Sequence, residues 1–124
     1  QPIIDCVEEV YRQKSDGQTV VWPTTFYEFD PGHADMDIKS GYLPQAKLYG
    51  TDRLLFEANQ DRGLPDLTGS SLCDSAETGL PIGILALYIT GIRTGAAGAI
   101  GARYLARADS QNLVLVGSGS QALF

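Results

Sequence analysis

The stretch Leu113-Val-Leu-Val-Gly-Ser-Gly-Ser-Gln-Ala122 says most about how this chain is built. Four aliphatic residues precede glycines at positions 117 and 119 and a small residue at position 122. This order predicts a strand that turns sharply into a helix, as in the pyrophosphate-facing turn of a dinucleotide-binding domain. Gly117 permits the tight turn, Gly119 lets the backbone approach a phosphate, and Ala122 lets the helix lie close to the strand. An ordinary strand–helix turn is the alternative.

Only Leu123 and Phe124 follow this motif. A dinucleotide site also needs the rest of the helix, a second strand, and usually an acidic residue about 20 positions further on that binds the ribose. We therefore expect the first strand of a truncated Rossmann domain. Without the ribose-binding residue, NAD and NADP are not distinguished.

Residues 91–108 precede the motif and are rich in glycine and alanine, which predicts a connecting helix with Thr90 as its N-cap. Glycines at 91, 95, 98 and 101 interrupt it, and each costs about 1 kcal/mol relative to alanine. A helix tolerates this energetic cost where its backbone must lie close to another element or close to a ligand. Both explanations remain open.

Upstream, the pattern predicts a helix and then an antiparallel or mixed β-meander. In residues 2–15 the apolar residues Ile3, Cys6, Val7 and Val10 recur at helical spacing. Residues 19–88 contain β-rich runs separated by turns at Asp30-Pro31-Gly32 and at residues 75–79. The runs are 19–22, 25–29, 35–42, 47–56, 67–74 and 80–88. The predicted class is α+β.

The 124 residues carry a net charge of −6, which argues against nucleic acid and anionic membranes as partners. Cys6 and Cys73 lack metal or redox spacing and are expected to be buried free thiols, which indicates a cytoplasmic protein. His33 is the only histidine and lies in a turn, so a catalytic triad is not expected. The carboxylates are scattered, and no metal site is predicted.

Arg93 is the most informative charge, because it stands in the first turn of the predicted Gly/Ala-rich helix with Thr94 beside it. A guanidinium fork at a helix start is suited to a carboxylate or phosphate. A surface arginine contacting a loop is the alternative.

Several segments together resemble the ornithine cyclodeaminase/mu-crystallin family. They are Ala34-Asp-Met-Asp-Ile-Lys-Ser-Gly-Tyr-Leu43, Leu80-Pro-Ile-Gly-Ile-Leu85, Tyr88-Ile-Thr-Gly-Ile-Arg-Thr-Gly-Ala-Ala97, Ala102-Arg-Tyr-Leu-Ala-Arg-Ala-Asp-Ser110 and the glycine motif at 117–122. The resemblance implies a substrate-binding and dimerisation domain over residues 1–90. Residues 91–124 would then be the connecting helix and the truncated start of an NAD(P)-binding Rossmann domain.

The resemblance also implies roles for single residues. Arg93 corresponds to the arginine that holds the substrate carboxylate, and Met36 to a methionine of the substrate pocket. Thr94 corresponds to a residue that contacts the cofactor phosphate. Gly117, Ser118, Gly119, Ser120 and Gln121 correspond to the pyrophosphate loop. Asp52 stands where the family has a lysine, so an anion replaces a cation that should face the substrate carboxylate.

By resemblance, the function is NAD(P)-linked oxidoreduction or cyclodeamination of small α-amino or imino acids, in a homodimer. The family's general acid/base lies beyond residue 124, so we expect no catalytic residue within the chain and little or no turnover. Two alternatives are a non-catalytic binder of NADP and a small ligand, as in the mu-crystallin branch, and a bare dimerisation module.

Overall fold

The computed structural model describes residues 2–86 and 88–124, except for the side chains of residues 60 and 120. The described chain is α+β, with helix α1 at Pro2–Ser15, helix α2 at Tyr88–Leu105, and an antiparallel sheet. It divides into two compact units: a helical unit of residues 2–15 and 88–124, and a sheet unit of residues 16–86. The predicted class, the N-terminal helix and the antiparallel sheet are confirmed.

The sheet contains strands β1 to β6, and every strand pair in its described part is antiparallel. Their bounds are Val20–Val21, Thr25–Asp30, Ala34–Leu43, Leu48–Glu57, Leu67–Ser75 and Pro81–Ala86. Strands β3 to β6 form a meander, which the alternating pattern and the turn residues predicted. Gly32 and Gly79 adopt φ angles of 73° and 71° in two of the connecting turns.

Strands β1 and β2 lie end to end along the free side of β3. Val20 pairs with Tyr42, and Thr25 pairs with Ile38. Pro23 separates the two strands, because proline has no N–H to donate to the ladder. The backbone N–H of Trp22 still donates to the carbonyl of Ser40 at 3.0 Å. β1 and β2 together therefore form one edge of the sheet, which is interrupted at Pro23.

Few of the described side chains of the sheet unit are buried; those less than 9% exposed are Thr19, Ala34 and Asp74. The long strands β3 and β4 are paired over ten residue pairs, from Ala34–Glu57 to Leu43–Leu48. The sheet is therefore held mainly by its backbone hydrogen bonds and by half-buried side chains.

In the helical unit, α1 has the predicted limits, but the direction of its buried face differs from the prediction. Ile4 and Val7 are half-buried and Glu8 is buried, whereas Ile3 and Cys6 are exposed. The prediction of a buried Cys6 is wrong, because α1 packs through a face rotated away from that residue. Cys73, on β5, is half-buried.

Helix α2 begins at Tyr88, so Thr90 is not its N-cap but a buried residue of its first turn. The helix ends at Leu105, three residues before the predicted end. Ala96 and Ile100, which are 4% and 8% exposed, form the apolar core of this unit together with half-buried residues of α1. Within the described residues, no helix has the length and apolar character needed to cross a membrane.

The predicted Rossmann strand at residues 113–116 is not formed in the structure. These residues have no strand assignment, and their exposure ranges from 63% at Leu115 to 101% at Val116. A strand requires a partner for its N–H and C=O groups, and no described strand pairs with this segment. The predicted helix after the glycines is a short 3-10 turn at Ser120–Leu123.

Candidate functional site

The helical unit contains a cavity of about 420 Å³ between α2 and the segment that follows it. Its walls are mostly apolar or small, and Thr94 and Gln121 contribute the polar side chains. The contributing residues are Thr94, Gly95, Gly98, Ala99, Ala102, Leu113, Leu115, Gln121, Ala122 and Phe124. Two residues predicted from the sequence to contact the cofactor, Thr94 and Gln121, therefore line the same cavity.

The glycine and alanine content of α2 produces this concave surface. A Cβ atom built on Gly98 would meet no heavy atom within 4 Å, so the helix presents open space there. Thr94 is exposed, and its hydroxyl donates to the carbonyl oxygen of Thr90 at 2.6 Å. This bond fixes the Thr94 side chain against the preceding turn while its oxygen keeps acceptor capacity.

The glycine turn has the backbone that the motif requires at its first position. Gly117 adopts φ of 104°, a conformation that residues with a Cβ rarely adopt. Gly119 is extended, and its carbonyl accepts the N–H of Ala122 at 3.0 Å, which closes the 3-10 turn. Gly117, Ser118 and Gly119 are exposed and do not line the cavity, and the Ser120 side chain lies outside the described residues.

These residues fit the phosphate-bearing part of a dinucleotide. The fit rests on the glycine-only backbone at Gly117 and on a side-chain oxygen and an amide in a cavity walled by small residues. The cavity does not include the exposed loop residues Gly117, Ser118 and Gly119, which a dinucleotide would also contact. Thr94, Gly98 and Gln121 would therefore contact only part of the dinucleotide.

Arg93 precedes Thr94 on α2 and is half-buried. The prediction that it stands in the first turn of the helix is wrong, because α2 begins at Tyr88 and Arg93 lies in its second turn. Arginine can bind a carboxylate through two parallel hydrogen bonds, which fixes the orientation of the carboxylate as well as its position.

The sheet unit carries the two remaining predicted residues, and it places them on opposite faces. Met36 on β3 lies opposite Leu55, whereas Asp52 on β4 lies opposite Lys39. Because side chains alternate along a strand, Met36 and Asp52 point to opposite sides of the sheet. The sheet therefore does not bring these two predicted substrate residues together. Both are half-buried.

Asp52 has a defined polar environment. The hydroxyl of Ser71 on the neighbouring strand β5 donates to Oδ1 of Asp52 at 2.7 Å. Lys39, its partner on β3, directs its ammonium to Asp37 at 2.9 Å. The register is unshifted between β3 and β4, so Arg53 faces the other side of the sheet and does not take the place of the missing lysine. The carboxylate of Asp52 is therefore oriented by Ser71.

The sequence analysis missed a polar cluster in the helical unit. The carboxylate of Glu8 on α1 accepts hydrogen bonds from Arg12, Arg103 and the hydroxyl of Tyr104, the last at 2.5 Å. The Tyr104 hydrogen bond is the largest influence on the pKa of Glu8 and lowers it; desolvation opposes this, and the Arg103 hydrogen bond and the charges of Arg12 and Arg103 lower the pKa further. The same tyrosine and Glu8 raise the pKa of Arg12. This Glu8 cluster joins α1 to α2.

A signal for part of the cluster was present, since Glu8 and Arg12 are four residues apart on a predicted helix. The contribution of Arg103 and Tyr104, more than 90 positions away, required the tertiary structure. In the described part of the chain, no group of three or more histidine, cysteine, aspartate or glutamate residues could hold a metal ion.

Comparison with known proteins identifies the relatives of this chain. An alanine dehydrogenase of Archaeoglobus fulgidus is 36% identical over 126 residues, which cover 98% of this chain and 37% of the relative. The structure of an archaeal alanine dehydrogenase, a dimer with bound NAD, has a TM-score of 0.88 at 32% identity. That match covers 98% of this chain and 37% of the other chain.

A third relative is the Delta(1)-pyrroline-2-carboxylate reductase of Thermococcus litoralis, solved in complex with NADH and L-proline. It matches with a TM-score of 0.81 at 27% identity and covers 88% of this chain and 34% of that chain. The present chain thus spans little more than a third of the length of the relatives it matches. The family model for ornithine cyclodeaminase/mu-crystallin proteins matches residues 1–124. The chain therefore belongs to the ornithine cyclodeaminase/mu-crystallin family.

Proposed function

We propose that this chain is the substrate-binding and cofactor-contacting part of an NAD(P)-dependent oxidoreductase or cyclodeaminase. Its substrates would be small α-amino or imino acids. The proposal is supported by the family and by relatives that include an alanine dehydrogenase and a pyrroline-carboxylate reductase. The observation that carries it is the cavity of about 420 Å³ that contains both Thr94 and Gln121.

The nicotinamide cofactor, when bound, supplies the group that accepts or donates a hydride. Thr94, Gln121 and the backbone of Gly117, Ser118 and Gly119 would hold its phosphates, with Ser120 in the same loop. Arg93 would bind the substrate carboxylate by a bidentate pair and so orient the α-carbon. We place the general acid/base outside these 124 residues, and we propose low or no turnover for them alone.

Met36 and Asp52 are the proposed substrate-side residues of the sheet unit. The negative charge of Asp52 would repel a substrate carboxylate that lies near it. We therefore propose that Asp52 weakens the binding of substrate carboxylates relative to members with a lysine there. The Asp52→Lys variant should bind L-proline or L-alanine more tightly than the natural chain. A control Asp16→Lys variant, at an exposed position of the sheet unit, separates this local effect from a change in net charge.

Calorimetric titration with NADH and NADPH tests the cofactor part of the proposal. The natural chain should bind at least one of the two, and Gln121→Ala should weaken binding about tenfold, as for the loss of one charge-assisted hydrogen bond. Gln18→Ala removes a similar amide from an exposed loop of the sheet unit and should change nothing. Absence of heat at millimolar NADH and NADPH would refute the proposal.

The substrate part is tested by a coupled NAD(P)H assay with ornithine, proline and alanine. We expect no turnover from the 124 residues, and Arg93→Met should abolish any binding of the amino acid in the presence of NADH. Measurable turnover would contradict the placement of the acid/base outside the chain. Unchanged amino-acid binding in Arg93→Met would contradict the assigned role of the arginine.

Two other functions each have one supporting observation. The oriented carboxylate of Asp52 favours a non-catalytic binder of NADP and a small ligand, which would bind NADPH without any turnover. Exposed apolar side chains on β1 and β2, with Val21, Phe26, Tyr27 and Phe29 each 57–60% exposed, favour a homodimerisation module. Sedimentation measures that property directly, and a monomer at all concentrations would exclude the module.

A further inference from the structure

Phe124 occupies a place on α2 that two glycines make available. A Cβ atom on Gly91 would lie 2.5 Å from Cδ2 of the Phe124 ring. A Cβ atom on Gly95 would lie 2.5 Å from the carbonyl carbon of Phe124 and 2.6 Å from its oxygen. Carbon atoms do not approach this closely without displacement of one of them. Gly91 and Gly95, one helical turn apart, therefore form a seat that any larger residue would close.

The seat is confined to these two positions of the helix. Gly98 and Gly101 would meet nothing within 4 Å if they carried a Cβ. Phe124 is 49% exposed, which is the lowest value among the large apolar side chains after residue 112; Leu123 beside it is 84% exposed. Phe124 is therefore better packed than the other large apolar side chains of this exposed segment.

The seated residue is joined to the polar wall of the cavity through a short turn. The N–H of Phe124 donates to the carbonyl of Gln121 at 3.4 Å, and Gln121 and Ala122 line the cavity that contains Thr94. A displacement of Phe124 would therefore move Gln121 as well. Phe124 is the C-cap residue of the 3-10 turn that contains Gln121.

We propose that Phe124 is a positioning residue, which holds Gln121 in the wall of the Thr94 cavity by inserting its ring into the Gly91–Gly95 seat. Its significance for cofactor binding rests on the function proposed above. The proposal also divides the glycine content of α2 between the two explanations that the sequence left open. Gly91 serves packing, Gly95 both packs against Phe124 and lines the cavity, and Gly98 serves the open cavity.

NMR spectroscopy of the full 124-residue chain tests the seat without any ligand. The Phe124 ring should shift the Hα resonances of Gly91 and Gly95 upfield through its ring current and give NOEs to them. Phe124→Ala should abolish both shifts, Gly95→Ala should abolish the shift at Gly91, and both variants should move the Gln121 amide resonances. Gly101→Ala and Leu123→Ala are the matched controls and should leave both sets of resonances in place.

Resonances of Tyr104 in the Glu8 cluster report whether each variant is still folded. If Gly95→Ala unfolds the helical unit, Phe124→Leu, which removes the ring current and keeps an apolar side chain, gives the same test. Gly91 and Gly95 shifts that persist without the aromatic ring, or Gln121 resonances that do not move when the ring is removed, would overturn the proposal.

Titration of the same variants with NADH separates this inference from the proposed function. Phe124→Ala should weaken NADH binding about tenfold, because a misplaced binding group loses most of its contribution. Binding to Phe124→Ala within twofold of the natural chain would refute the positioning role. Failure of the natural chain to bind either NADH or NADPH would refute the proposed function, while the ring-current shifts would still decide whether Phe124 occupies the Gly91–Gly95 seat.

Discussion

The sheet unit and the helical unit are stabilised in different ways. In the sheet unit, β3, β4 and β5 are paired over nine or ten residues, but most side chains on both faces are exposed or half-buried. In the helical unit, a few side chains carry the packing: Ala96 and Ile100 are buried on α2, and the buried Glu8 of α1 binds Arg103 and Tyr104. One region depends on its backbone and the other on particular side chains.

This difference predicts which substitutions matter. In the helical unit, truncation of a single buried side chain should be costly. In the sheet unit, changes on the faces should be tolerated, and only a change that disturbs the ladder itself should be costly. The four predictions below use this contrast.

The largest effect is expected from Ile100→Ala in α2. Ile100 is 8% exposed, and truncation of a buried isoleucine leaves a cavity that costs about 2–4 kcal/mol in the free energy of unfolding. Leu105→Ala, at an 86% exposed position of the same helix, should change stability by less than about 0.5 kcal/mol. Urea denaturation monitored by far-UV circular dichroism measures both changes in the free energy of unfolding. Equal losses in the two variants would contradict the conclusion that buried side chains stabilise this unit.

A smaller effect is expected from Gly41→Ala in β3. Its Cβ would lie 2.7 Å from the carbonyl oxygen of Val20, so β1 would have to move, at a cost of about 1–3 kcal/mol. Gly83→Ala in β6 would meet nothing within 4 Å and serves as the control. Hydrogen exchange should show loss of protection at the Trp22–Ser40 hydrogen bond in Gly41→Ala alone. Full protection there would show that the ladder tolerates crowding.

The third prediction concerns one threonine in each unit. The hydroxyls of Thr19 and Thr90 are buried, and neither has a hydrogen-bond partner among the described residues. Replacing an unsatisfied buried hydroxyl by a methyl of the same shape should stabilise by about 1 kcal/mol. Thr19→Val and Thr90→Val should therefore both raise the unfolding midpoint, whereas Thr24→Val on the exposed surface should not. A gain in only one unit would show that the two interiors differ in hydration.

The smallest effect is expected on acidification of the helical unit. Because the folded pKa of Glu8 lies below its ordinary value of 4.5, its ionised form stabilises the fold at pH values above the ordinary value. This contribution is lost as the pH falls through the lowered pKa. The arginine partners are 42–63% exposed, so solvent screens the effect.

The measurement is thermal unfolding between pH 7 and pH 3 for the natural chain and for Glu8→Gln. The natural chain should lose more stability over this range than the variant, because the glutamine does not titrate. Glu9→Gln, one residue away and exposed, is the control and should behave as the natural chain does. Identical pH profiles for the natural chain and Glu8→Gln would exclude a role for this carboxylate.

The pattern of residues along the sequence predicted those helices, strands and turns whose structure depends on residues a few positions apart. Helix α1 has the predicted limits, because helical spacing and its terminal residues act over a few positions. The meander strands and the turns at Gly32 and Gly79 agree with the prediction for the same reason. The predicted strand at 113–116 did not form, because a strand depends on a partner that local sequence does not supply.

The candidate site shows the same division. The residues proposed to contact the cofactor could be chosen from the Arg93-Thr94 pair and the glycine motif by resemblance alone. Their grouping in one cavity depends on the fold, which brings Gln121 near α2 but leaves Gly117 and Gly119 out of the wall. The placement of Met36 and Asp52 on opposite faces also followed from the strand register.

By itself, the sequence determined the family, the α+β class and the order of elements, because these follow from motif order and local periodicity. Tertiary structure alone decided that Glu8, Arg103 and Tyr104 meet, that Phe124 occupies the Gly91–Gly95 seat, and that residues 113–116 remain exposed. Each of these depends on contacts between residues far apart in the chain or on backbone partners. Burial and hydrogen-bond pairing at that range are set by packing, which spacing along a sequence does not specify.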